Sequence, residues 1–321
     1  MCVYAAMFLA DARRADRISW TLIAAMPLLF ALLQPADPIT VAPFTTLLPA
    51  LGIAGLLGMR FWGVRRKLPN LVVAGDALLQ MTLFTLAGIL LSYALAARGG
   101  ALWDERLASW DAALGLDWGW LRSTLDRSWV AVWLLTIAYH SLIPQMVLAI
   151  LLLSAAGQHA VLRVMVLAAV LAGVTTILLS GPMPAMGSLF DPAAYRNLPP
   201  AVAWHHADII TGLRNGSLRL IDLRNMMGIV TFPSYHAALA LIFIWAFRQQ
   251  PRLRGTLTVW SGLTILATPI SGGHYGVDVL AGLGLAGVSL VGARRYLASA
   301  RTSSSLLMPE RPGISRFFAS A

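Results

Sequence analysis

Two histidines and an aspartate in this chain stand where polar side chains are costly to hold. Residues 232–240 read FPSYHAALA and open an apolar run that continues LIFIWAF, so Pro233, Ser234 and His236 lie at the mouth of a membrane-type helix. His274, in SGGHYGVDVLAG, is followed four residues later by Asp278. On a helix that spacing puts both side chains on one face. A carboxylate on one imidazole nitrogen fixes the tautomer and raises the basicity of the other, which makes His274 a candidate nucleophile. Gly272 and Gly273 just before it allow close backbone approach to a ligand. Ser234 at a helix start can cap free amides, and those amides with the helix dipole attract phosphate. Taken singly, His274 and Asp278 read equally as an ion pair anchoring a helix end, and FPSYH as a capped helix with an incidental histidine. Two helix starts with two histidines, one acid and an anion-attracting amide set point together to phosphate chemistry.

The elements that must position these residues are membrane helices. Of 321 residues 58% are hydrophobic and 12% charged, against about half and a quarter in soluble domains. Eight apolar segments, at 19–34, 40–62, 70–97, 129–153, 161–180, 232–248, 255–270 and 275–293, predict an all-α polytopic membrane bundle of about eight transmembrane helices. Arginine and lysine gather before the first segment, between the second and third, between the sixth and seventh, and after the eighth. Short basic loops mark the cytoplasm, so both termini are expected there and the helix starts at His236 and His274 face outward. The same distribution explains the net charge of +10 without a nucleic-acid partner. The basic N-terminus before an apolar run lacks a small-x-small cleavage pattern and reads as an uncleaved span. Two long outward loops remain, near 98–128 and 181–231. The first, with LWDERLASWDAALGLDWGWL near 100–126, reads as a helix lying in the membrane interface, its tryptophans at headgroup depth. The tail from 302 is Ser-rich, basic and loosely ordered by expectation.

The other polar residues carry less. His140 and His159 read as structural. His205 and His206 read as substrate contacts or plain surface, since no ligand-like spacing surrounds them. The single cysteine, Cys2, excludes an internal disulfide and a cysteine metal site. No metal or cofactor is implied. GLGLAG at 282–287 matches a dinucleotide-binding pattern, but no strand precedes it, and small residues at a helix contact explain it better.

Pro233-Ser234-Tyr235-His236 followed by His274 and Asp278 resembles the PAP2 (type 2 phosphatidic acid phosphatase) superfamily, whose members show PSGH and then HxxxD. The wording TFPSYHAALA and GGHYGVDVLAG, with DAALGLDW upstream, is similar to its inositolphosphotransferase-like branch, that of inositol phosphorylceramide synthase. The resemblance implies a six-helix core over 70–295, two added N-terminal helices over 1–69, an active-site loop at 181–231 and a cytoplasmic tail over 296–321. It also implies that His274 attacks phosphorus to give a phosphohistidine, Asp278 orients it, and His236 protonates the leaving oxygen. Water or an alcohol then takes the phosphoryl group.

Three departures from the phosphatase pattern matter. Tyr235 replaces glycine, Thr268 stands where the phosphatases carry a phosphate-binding arginine, and no clear lysine-arginine motif precedes FPSYH. Another cation must offset the phosphate charge, and Arg224, Arg219 and Arg214 in the loop before His236 are the candidates. Ser234, Tyr235 and Gly273 complete the expected substrate contacts. The expected function is an integral plasma- or inner-membrane phosphotransferase moving a phosphoryl or phospho-headgroup between a membrane lipid and an acceptor. A lipid phosphate phosphatase is the alternative. A non-enzymatic lipid transporter is the third reading, with Asp76 and Gln80 as its intramembrane polar pair.

Overall fold

The computed structural model describes residues 16–306 except 249. Among these lie twelve α-helices: α1 (Arg17–Leu32), α2 (Leu47–Arg66), α3 (Pro69–Ala97), α4 (Asp104–Ala113), α5 (Trp118–Leu125), α6 (Trp129–His140), α7 (Leu142–Ala155), α8 (His159–Ser180), α9 (Ala203–Asn215), α10 (Tyr235–Phe247), α11 (Arg254–Ala267) and α12 (Gly276–Leu306). The fold is the expected all-α bundle. Arg13, Arg14, Cys2 and the tail beyond 306 lie outside the described residues.

Each of the eight apolar segments holds a helix, but their lengths differ. Among the described residues four helices are long and apolar enough to cross a membrane, and α6 and α7 pass the same test together across a bend of 56°, a fifth span if the pair crosses as one. Pro144, in the first turn of α7, has no N–H to give the carbonyl of His140, which accounts for the break. In the segment at 40–62 the α-helix begins only at Leu47, after a 3₁₀ turn at Pro43–Thr45, because Thr40 and Val41 pair in parallel with Leu220 and Ile221. Helix α10 has 13 residues, about 20 Å at 1.5 Å per residue, short of the ~30 Å apolar layer.

The core joins α3, α7, α8, α10 and α12, with Phe243, Phe247, Leu167 and Ile150 almost fully buried. The serines and threonines of 255–270 are satisfied rather than misplaced. Ser261 donates to Gln145 Oε1 at 2.8 Å, Gln145 Nε2 donates to Thr264 at 2.9 Å, and Trp260 Nε1 donates to Ser141 at 2.8 Å. This network ties α11 to the bend between α6 and α7. The added N-terminal part also reaches the long loop: Ala42 N–H donates to the Ile221 carbonyl at 2.9 Å and Leu223 N–H to Thr45 Oγ1 at 3.2 Å.

Gly282 alone of the GLGLAG glycines is tightly packed. A Cβ there would lie 2.2 Å from the Ser234 carbonyl, whereas Gly284 and Gly287 have open space around them. The small residue lets α12 cross α10 at their first turns, which is where the two histidines must meet.

Candidate active site

Helix α10 starts as its sequence dictates. Ser234 is the N-cap, with its Oγ accepting from Ala237 N–H at 3.3 Å. Pro233 precedes the cap and follows Phe232 through a cis peptide. Ser234 N–H donates to the main-chain carbonyl of Asp278 at 2.9 Å, so the two helix starts are joined directly.

His274 lies two residues before α12, at the end of a π-helical turn (Thr268–Gly272). It is therefore not on a shared helix face with Asp278, yet its Nδ1 lies 3.4 Å from Asp278 Oδ2. Its shorter contact is a residue the sequence did not single out: Nδ1 is 2.8 Å from the Thr231 carbonyl. A carbonyl only accepts, so Nδ1 carries the proton and Nε2 keeps its lone pair. Asp278 Oδ2 also accepts the Tyr275 N–H at 2.8 Å. The carboxylate thus braces the turn that carries His274 as well as the ring itself.

The rings of His236 and His274 lie 6.2 Å apart, centroid to centroid. That gap suits a phosphoryl group between a nucleophile at ~3–3.5 Å and an acid at hydrogen-bond distance. Tyr139 of α6 stacks on His236 at 4.4 Å and 10°. A Cβ on Gly272 would meet the Tyr139 ring at 2.7 Å. Gly272→Ala is therefore expected to push Tyr139 into His236 and lower kcat at least tenfold, with a smaller effect on thermal stability; steady-state kinetics beside a melting curve check this.

Tyr235, expected to contact substrate, has other partners. Its ring packs 5.9 Å from Phe84, and its hydroxyl donates to the Ala169 carbonyl at 3.0 Å. Adjacent residues on a helix point about 100° apart, so His236 takes the site and Tyr235 the α3–α8 contact. Gly273, with φ 75°, meets protein where a ligand was expected. A Cβ would fall 2.5 Å from Ala203 Cβ, and its carbonyl accepts from Ser188 N–H at 2.6 Å. The helix-start amides of α12 are also taken. Asp111 Oδ2 accepts from Gly276 N–H at 2.7 Å and Oδ1 from Val277 N–H at 2.8 Å, while Trp118 Nε1 donates to Oδ2 at 2.6 Å.

The three expected arginines have other partners. Arg224 pairs with Asp222 at 2.6 Å, half exposed, and lies over the Phe44 ring. Arg219 donates to the Leu213 carbonyl at 2.7 Å and approaches Asp37 at 3.4 Å. Arg214 bonds the Gly100 carbonyl. All three fasten the long loop to its surroundings, and none makes a contact with His236 or His274 among these bonds.

The loops themselves close over the site. Helices α4 and α5 form a hairpin docked by Asp104, which accepts from Met186 N–H at 3.0 Å, Gly187 N–H at 2.9 Å and the Tyr275 hydroxyl at 3.1 Å. Val202 N–H donates to the Ser271 carbonyl at 2.9 Å. Helix α9 follows and turns Ala203, His206, Ile210 and Leu213 inward. His206 is buried while His205 is exposed. Burial, then the charges of His274 and His205, lowers the pKa of His206 to about 4. Its neutral form is favoured by the fold, and the unfolded chain binds the extra proton between pH ~6.5 and 4. Stability is therefore full above pH ~6.5 and falls by up to ~3 kcal/mol as the pH drops toward 4. Thermal unfolding of wild type and His206→Gln across that window should show the dependence shrink in the variant.

Periodicity could have separated His206 from His205, since only His206 falls in step with Ile210 and Leu213. Thr231, Tyr139 and Ser188 carry no such signal. No curated protein and no solved structure matches the chain. A family model described as PAP2 superfamily does, over residues 105–292. That segment is more than half of the chain and runs from the docked hairpin through both histidines and Asp278, so the chain belongs to the PAP2 superfamily.

Proposed function

We propose that this protein is a membrane lipid phosphotransferase working through a phosphohistidine on His274. The observation that carries the reading is the juxtaposition of His236 and His274, 6.2 Å apart, with the His274 Nδ1 proton held by Thr231. Nε2 attacks the phosphorus of a lipid phosphate or phospho-headgroup, an inositol-phosphate-like one by the resemblance. The N–P bond forms, the P–O bond breaks, and His236 gives its proton to the departing oxygen. An alcohol then attacks the phosphohistidine, His236 takes the hydroxyl proton, and the N–P bond breaks. Asp278 and Thr231 stabilise positive charge on His274 as it develops. The site opens on the outer, extracytoplasmic side of a plasma or inner membrane, as the loop charges predict, with both termini in the cytoplasm.

Tyr235 in place of glycine and Thr268 in place of arginine favour transfer over hydrolysis. Of the polar pair that would have supported transport, Asp76 binds Arg60 at 2.5 Å near the start of α3, while the buried Gln80 Oε1 has no hydrogen-bond partner among the described residues. The deciding experiment supplies purified protein in nanodiscs with phosphatidylinositol and a short-chain ceramide or diacylglycerol. A transferase gives a new phospholipid in proportion to acceptor. Inorganic phosphate or free inositol phosphate as the main product, whatever the acceptor, would establish hydrolysis instead.

A further inference from the structure

The phosphate handled at His274 needs a cation, and none of the three loop arginines is placed to supply it. One arginine differs from them. Arg122, in the last turn of α5, is 6% exposed and makes no ion pair with a carboxylate among the described residues. Its Nη2 donates to Ser188 Oγ at 2.6 Å and to the Ser188 carbonyl at 3.2 Å. Its guanidinium carbon lies 4.6 Å above the Phe190 ring. Its Nε is buried and has no hydrogen-bond partner. Burial lowers its pKa from the ordinary guanidinium value, but an arginine remains charged. A buried charge with no counter-ion is strongly unfavourable.

The position of this charge is informative. Ser188, which takes two of its bonds, gives its own N–H to the Gly273 carbonyl at 2.6 Å. One residue therefore separates the guanidinium from the peptide that carries His274. Asp104 holds the neighbouring amides of Met186 and Gly187, and Asp111 holds Gly276 and Val277. The same hairpin that carries Arg122 is thus fixed on both sides of the nucleophile's turn. We infer that Arg122 is a phosphate-binding residue of this site, its free Nε–H completed by an oxygen of the substrate's phosphate. It supplies from the α4–α5 hairpin the positive charge that Thr268 cannot. Arg122 and Ser188 then form one arm over the phosphate and the start of α10 the other, with His274 between them.

This rests on the phosphotransferase reading, and the test separates the two. Wild type, Arg122→Gln and Arg122→Lys are compared in nanodiscs for turnover of a lipid phosphate, for inhibition by orthovanadate, and for thermal stabilisation by orthovanadate. Arg122→Gln should raise KM and the vanadate inhibition constant about 10–100-fold. It should also abolish the vanadate shift in Tm without lowering the ligand-free Tm. Lysine should restore part of each effect, because it keeps charge and loses the fork. If Arg122→Gln keeps the wild-type vanadate shift and KM, the assignment is wrong. If it lowers the ligand-free Tm while leaving vanadate affinity unchanged, Arg122 only holds the loop and the assignment is again wrong. Should wild type turn over no lipid phosphate, the function falls, and the vanadate shift still decides whether Arg122 binds the anion.

Discussion

Replacing His274 with asparagine is expected to lower kcat by about 10⁴-fold or more while the protein still folds. In the proposed mechanism this side chain forms and breaks the bond to phosphorus, and removing a group that acts covalently costs most of the chemical acceleration. Asparagine can keep one donor toward the Thr231 carbonyl, 2.8 Å from the histidine Nδ1, so the surrounding loops should stay in place. Phosphoryl label from the donor lipid should appear on wild type as an acid-labile, base-stable adduct and be absent from the variant. His236→Ala sharpens the assignment. Its defect should shrink for a substrate whose leaving group needs no proton, such as a nitrophenyl phosphate, because a general acid helps only a basic oxygen. Label on His274→Asn, or equal losses of the His236 variant on both leaving groups, would reverse the roles.

The second large effect is predicted far from the motif. Asp111→Ala should destabilise the protein by ~3 kcal/mol or more and lower turnover at least 100-fold. Asp111 is 1% exposed and accepts from two backbone amides at the start of α12 and from the Trp118 indole. Each buried donor left without an acceptor costs ~1–3 kcal/mol, and a negative charge at a helix N-terminus is lost as well. The hairpin would loosen from the turn carrying His274, and Arg122 would move with it. Asp111→Asn keeps the shape and one accepting oxygen, so its loss should be smaller. Chemical or thermal unfolding with parallel kinetics checks the order Ala, Asn, wild type.

How much of this was legible in the sequence varies with the range of the contact. Helix positions follow from apolar runs, which a helix period turns into buried faces, and all eight segments contain helices. The cap at Ser234 is a local matter of three residues and was readable. The face shared by His274 and Asp278 was not, because Gly273 at φ 75° ends the π turn and delays α12 to Gly276. The two side chains meet all the same, through loop geometry in place of helix spacing. Tyr235 was misread for a similar reason. Its role depends on Phe84 and Ala169, residues distant in sequence that stand beside it only after α3, α8 and α10 pack.

The sequence by itself determined the all-α membrane bundle, the pair of histidines and the acid beside one of them, since those are set by composition, period and short spacing. Only the tertiary structure points to the cation proposed to serve them. Proximity in sequence favoured Arg224, Arg219 and Arg214, yet Arg224 is held by Asp222, Arg219 by the Leu213 carbonyl and Asp37, and Arg214 by the Gly100 carbonyl. Arg122 lies more than a hundred residues before both histidines and is carried to the site by Asp104 and Asp111, which bind backbone amides. Amides are the same in every residue, so a carboxylate that chooses its partner that way leaves no mark on the partner's sequence.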